Sequence, residues 1–176
     1  MYPKAYIDYL VHFHGTRDYF ECHEILEDYW KVKESKNRFS IWVGLIQIAV
    51  SLYHHRAENF KGAARTLNKS IHLLEQNEEK VINLGIDYQE LLKILKNRQA
   101  EIANEAPYYS ISIPINNQKL LEACKDRCCT LGLKWNQPSD LSNKDLVFKH
   151  SLRDRSIVVQ ERARQLSLRK TERPNS

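Results

Sequence analysis

Glycine and proline are scarce, with five of each in 176 residues. So few turn formers argue against a turn-rich β architecture and favour long helices. There is no long hydrophobic run. The most apolar stretch, Ile41 to Tyr53, is interrupted by Gln47 and Ser51 and is too short to cross a bilayer. The opening residues Met1-Tyr2-Pro3-Lys4-Ala5 lead into polar sequence without an apolar secretory core, so a cytoplasmic location is the default expectation. Cysteine is limited to Cys22, Cys124, Cys128 and Cys129, and the last three form one cluster with no second pair. That spacing does not make a zinc site, and reduced thiols are expected. No internal repeat is visible.

What is present is ordinary for a globular chain: 42% hydrophobic and 28% charged residues, enough length for one domain with a real core plus a tail. The net charge of +5 is unevenly placed. Residues 1–148 hold 19 basic and 19 acidic side chains, whereas residues 149–176 hold 8 basic and 3 acidic ones. The body is neutral and the tail carries the charge. The tail arginines (Arg153, Arg155, Arg162, Arg164, Arg169 and Arg173) have no interleaved aromatics, so nucleic-acid binding through this arm has little behind it. A solvated helix, a helix docking on a protein partner, or an anionic membrane surface are the other readings.

Apolar periodicity predicts an all-α protein: an antiparallel bundle of four to five helices with a short extended segment and a C-terminal helical extension. The first helix runs from about Pro3 to His12 and breaks at Gly15 and Thr16. Asp18, with Glu21 three residues on, forms a capping-box pattern for a second helix ending near Glu34. A third helix, about Arg38 to Arg56, is apolar nearly all round and therefore central. Asn59 caps a fourth, about Phe60 to Asn77. Asp87 and Glu90 form another capping box for a fifth, with Tyr88, Leu91, Leu92, Leu95 and Ile102 facing inward. Tyr108 to Ile115 then alternates with period two and predicts a lone strand, one that covers the bundle or pairs with a second copy as a homodimer. A helix near Gln118–Leu131, a loop over Trp135–Ser142 and a last helix over Asp154–Lys170 complete the chain. The expected organisation is a bundle at 1–105 and an extension at 106–176.

The sharpest chemical clue lies in the second helix. At about 100° per residue, His23 and Glu27 fall on the face that also carries Tyr19, Phe20, Leu26 and Trp30. Polar groups on an apolar face need partners: each other, an arginine, a metal ion or a substrate. On the third helix Gln47, Ser51, Gly44, Ser40 and His54 form one narrow polar stripe. If the two helices pack antiparallel, the stripes face each other and enclose a pocket. His23, Glu27, Gln47 and His54 are then its candidate polar residues, with Trp30, Gly44 and Ser51 as wall. Imidazole plus carboxylate suits a divalent metal, held by His23 and Glu27, or acid–base work. His23-Glu24-Ile25-Leu26-Glu27 begins like the H-E-x-x-H zinc motif, but Glu27 replaces the second histidine. The competing reading is architectural: a His–Glu pair, closed by Arg17, Arg38 or Arg65, that fixes helix register.

The run Arg17-Asp18-Tyr19-Phe20-Glu21-Cys22-His23-Glu24-Ile25-Leu26-Glu27-Asp28-Tyr29-Trp30 carries H-x-x-x-E-x-x-W at His23, Glu27 and Trp30. With Trp42-Val43-Gly44-Leu45-Ile46-Gln47-Ile48-Ala49 and Gly62-Ala63-Ala64, it resembles the bacterial and archaeal domain-of-unknown-function family 309 over about residues 10–75. The resemblance implies a small all-helical bundle and a site, with a suggested metal-binding role, at His23 and Glu27. It implies no reaction, so whether the chain is an enzyme stays open. Two functional expectations follow: a protein with a buried His/Glu pocket for a divalent metal or small ligand, or a non-enzymatic interaction protein whose strand and basic tail bind a partner.

Overall fold

The computed structural model describes residues 1–152 and 160–167. It is all-α, and among the described residues no strand forms. The helices are α1 (Lys4–Val11), α2 (Tyr19–Glu34), α3 (Ile41–Arg56), α4 (Phe60–Glu75), α5 (Glu78–Asn83), α6 (Tyr88–Ala103), α7 (Gln118–Thr130), α8 (Lys144–Val147) and α9 (Lys149–Leu152). Between α1 and α2 the chain does not simply break at Gly15 and Thr16, as expected. It continues as a π-helical turn, His12–Thr16, and only Arg17, in the left-handed region at φ 55°, ends it. Residues 160–167 are helical and exposed; the remainder of the expected 154–170 helix and the 171–176 end lie outside the described residues.

Local chemistry sets the helix starts. Asp18 Oδ1 accepts from the Glu21 amide at 3.0 Å, and Asp87 Oδ1 accepts from the Glu90 amide at 3.0 Å. The caps form, but the glutamates do not complete the boxes. The Asp18 amide bonds Thr16 Oγ1 at 3.2 Å and the Asp87 amide bonds the Pro114 carbonyl at 2.8 Å. Ser40, Asn59, Asn117 and Asn143 cap α3, α4, α7 and α8 in the same way.

Helix α3 is the centre: only Gln47, Val50 and His54 escape full burial. It packs between α2 and α4, while α1 packs on α2 and α7, and α4 on α6. One contiguous core joins Tyr6, Tyr9 and Phe13 to Leu45 and Leu52 of α3, Leu67 and Leu74 of α4, Leu95 of α6, and Leu120 and Cys124 of α7. The buried tyrosines keep their hydroxyls satisfied: Tyr9 donates to the Leu45 carbonyl at 2.8 Å and Tyr6 to the Leu84 carbonyl at 3.0 Å.

The expected strand over Tyr108–Ile115 is not formed. The segment is irregular, with one isolated antiparallel bridge between Ile115 and Ile86. Its backbone groups are taken by side chains of the body instead. Arg98 Nη2 donates to the Tyr109 carbonyl at 2.7 Å, Arg17 Nη1 donates to the Ile111 carbonyl, and the Ile113 amide donates to His14 Nε2 at 3.0 Å. The period of two therefore reports Ile111, Ile113 and Ile115 turned to the body. All four cysteines are free thiols. Burial pushes the Cys124 thiol up to about 12 and also raises that of Cys22 well above the usual thiol range.

Candidate functional site

His23 and Glu27 meet: Nε2 lies 3.1 Å from Glu27 Oε2. The pair is not buried as expected; its side chains are 29% and 32% exposed. None of Arg17, Arg38 and Arg65 closes it. Lys31, one further turn along α2, lies 3.2 Å from Glu27 Oε1. The bond from His23, aided by Lys31, holds the Glu27 carboxyl down at about 2. With one oxygen engaged by His23 and the other by Lys31, Glu27 is poorly placed to ligate a metal. Among the described residues no group of three or more His, Cys, Asp or Glu side chains is arranged to hold one.

The polar stripe of α3 is divided by the structure. Gly44 and Ser51 face α4: Ser70 Oγ donates to the Gly44 carbonyl at 2.8 Å, and Ser51 Oγ donates to the Ala63 carbonyl at 2.8 Å. They bind two helices together and wall no cavity with His23. Trp30 is likewise elsewhere, half-buried with Nε1 donating to the Asn37 carbonyl at 3.0 Å across the α2–α3 turn. Gln47 is half-buried on α3.

His23 and His54 do converge. A cavity of about 210 Å³ opens between α2, which contributes Tyr19, Phe20 and His23, and α3, which contributes Val50, Tyr53 and His54. Glu27 and Gln47 are not among its walls. The α9 residue His150 roofs it, its ring 5.7 Å from that of Phe20 and its amide bonded to the Tyr53 hydroxyl at 3.0 Å. Lys149 fixes the roof by an ion pair to Asp18 at 2.6 Å. Asn59, whose Oδ1 is committed to the Gly62 amide, turns its Nδ2 to His54 Nδ1 at 3.1 Å. His54 must therefore accept at Nδ1 and carry its proton on Nε2. Burial, with Arg65 and His150 nearby, also lowers its pKa and keeps the ring neutral.

Sequence reasoning missed the buried basic side chains. Arg17, Arg56 and Arg98 are 3%, 6% and 1% exposed, and His14 and His55 are 2% and 1% exposed. Arg98 has Glu101 Oε2 3.0 Å from its Nε, in ion-pair contact though off the hydrogen-bonding line. Among the described residues no carboxylate lies in ion-pair range of Arg17 or Arg56. Arg17 finds acceptors for all three nitrogens, its Nε at 2.6 Å from the Gln137 carbonyl. Arg56 does not: Nη1 bonds the Arg17 carbonyl at 2.7 Å and Ser139 Oγ at 3.2 Å, Nη2 bonds the Leu146 carbonyl at 3.3 Å, and Nε has no acceptor. Leaving such a donor unmet costs about 1–3 kcal/mol. The Arg56 guanidinium carbon lies 4.6 Å from the Tyr19 ring centroid, beside hydroxyls linked from Tyr19 to Tyr108 at 2.6 Å and Tyr108 to Ser139 at 2.7 Å. The signal was in the spacing: Arg98 continues the core positions Tyr88, Leu91 and Leu95, and Arg56 follows Leu52 by one turn.

No solved structure matches this chain. The chain is similar to the uncharacterized protein YpuF of Bacillus subtilis (strain 168), 50% identical over 173 residues that cover 98% of this chain and 99% of that protein. Residues 6–66 match the family described as Domain of unknown function (DUF309). The match spans both walls of the His23–His54 cavity, and with the full-length likeness to YpuF it shows that the chain belongs to the DUF309 family.

Proposed function

We propose that the chain is a small-molecule binding protein whose site is the cavity between α2, α3 and α9, set in helices α1–α4 and α6 that we read as an antiparallel bundle. The observation that carries this reading is the convergence of His23, His54 and His150 on one otherwise aromatic and aliphatic hollow. Its volume of about 210 Å³ suits one substituted ring, since a dry cavity near 150 Å³ accepts benzene. The Nε2–H of His54 offers a donor to an acceptor on that ring, and the aromatic walls supply the rest of the affinity. The pair His23–Glu27 orients one wall. Free buried thiols at Cys22, Cys124 and Cys128 suit a reducing cytoplasm.

Indole is a suitable probe. Titration should shift the ring resonances of His23 and His54, and the cavity-filling substitution Val50→Phe should abolish the shift without lowering the melting temperature. A probe that moves neither histidine sinks the ligand reading. Elemental analysis of untagged protein purified without chelator decides the metal alternative: stoichiometric zinc, lost in His23→Ala, would replace the ligand reading by the metal one.

A further inference from the structure

A second cavity, of about 400 Å³, lies beyond the C-terminal end of α3. Arg56 and His55 from α3, Tyr108 from the irregular segment and Lys144 of α8 line it, and Phe60, Val147 and Phe148 give it apolar wall. We propose that this cavity binds a small organic anion, a carboxylate or phosphate monoester, with its head on Arg56 and its apolar body against Phe60, Val147 and Phe148.

Two observations carry the assignment, and neither depends on the His23–His54 cavity. First, among the described residues Arg56 is a buried cation without a carboxylate, and its Nε–H meets no acceptor there. Three bonds on Nη1 and Nη2 leave the Nε–H and one Nη2–H as donors for the oxygens of a carboxylate or phosphate. Second, the guanidinium is held in place before any ligand arrives, by those bonds and by the Tyr19 and Tyr108 rings at 4.6 and 5.9 Å from its carbon. His55 is wall rather than donor: its Nε2 meets the Ala106 carbonyl at 2.7 Å and its Nδ1 meets Arg98 Nη1 at 3.1 Å. Two wall residues, Glu58 and Glu105, hold left-handed backbone at φ 59° and 51° because they end α3 and α6, with the Asn59 and Ala106 amides reaching back to the His54 and Glu101 carbonyls at 2.8 and 2.9 Å. Both carboxylates are exposed. They repel a polyanion, which restricts the ligand to one anionic head on an apolar body.

The test uses the full chain, labelled with ¹⁵N, and titrates phenyl phosphate, benzoate and inorganic phosphate. Phenyl phosphate or benzoate should shift the Arg56 Nε–H resonance saturably, and the tighter of the two names the head group. Inorganic phosphate, with no apolar body, should bind at least about tenfold more weakly. Because Arg56→Gln removes structural bonds, the decisive variant is Lys144→Glu at an exposed position, expected to weaken binding about tenfold with an unchanged melt. His23→Ala should leave these affinities unchanged, which separates this site from the other cavity. An Arg56 Nε–H unmoved by both organic probes at millimolar concentration overturns the proposal. So does binding that Lys144→Glu leaves intact, or an inorganic phosphate that binds as tightly as phenyl phosphate.

Discussion

At the scale of single residues, the buried histidine His14 links folding to pH. Its Nδ1–H donates to the Leu10 carbonyl at 2.8 Å and its Nε2 accepts from the Ile113 amide, so both nitrogens are committed in the neutral form. Burial lowers its pKa to about 4. The unfolded chain takes up this proton near 6.5, the folded one only near 4. The contribution is complete above about pH 6.5 and drains away as pH falls to 4, on the order of 3 kcal/mol in all. Urea denaturation across pH should show this slope, and His14→Asn should flatten it. Glu27 acts in the next window down, between its ordinary value and about 2, so Glu27→Gln should alter only the slope below about pH 4.5. Two glycines give opposite expectations. At Gly44 a Cβ would meet Leu73 Cβ at an ordinary 3.4 Å, so Gly44→Ala should stabilise α3 by up to about 1 kcal/mol. At Gly85, φ is 77° and a Cβ would stand 2.7 Å from that of Asn117, so Gly85→Ala should cost about 1–2 kcal/mol or more, read from the same denaturation curves.

Among the elements, two caps of identical design differ in what else they hold. Asp18 caps α2 and also binds Lys149 at 2.6 Å, which seats α9 over the His23–His54 cavity. Asp87 caps α6, with an amide tied to Pro114. Each Asp→Ala should cost about 1 kcal/mol of stability. Only Asp18→Ala should also raise amide exchange across residues 149–152 and loosen indole binding. Element starts were legible because capping is local: Asp18, Asn59 and Asp87 announce α2, α4 and α6 within one turn of sequence. The irregular path of residues 108–115 was not. Its alternation is real, since Ile113 is buried, but whether a period of two becomes a strand depends on distant groups. Here His14, Arg17 and Arg98 take the backbone partners that a neighbouring strand would have supplied.

For the whole molecule, the C-terminal region is structural covering as well as extension. Leu120, Cys124 and Cys128 of α7 belong to the same core as Tyr6 and Leu10 of α1, and Arg127 pairs with Asp8 at 2.6 Å. A chain cut after residue 105 would expose that face of α1, strip Arg17 of its acceptors on Ile111, Asn136 and Gln137, and take Ser139 and Leu146 from Arg56 and Ile113 from His14. It should lose its cooperative melt, monitored by circular dichroism. The His23–Glu27 contact was readable from sequence, because the two residues share one face within one turn, although only His23 reaches the cavity. The α3 wall was not: whether the α3 stripe meets α2 or α4 is decided by how α3 rolls, and Gly44 and Ser51 turned to α4 while His54 turned to the cavity. The wide turn His12–Thr16 has a consequence of its own. A π-turn is one residue longer than the α-turn it replaces. Adding a further residue between positions 12 and 16, where the turn is already widened by one, would swing α1 by about 100° against everything downstream. His14 would then lose Ile113, and Asp8 would lose Arg127. The seating of the first helix is thus a matter of counting, and a length change of one there should do more harm than most substitutions of side chain.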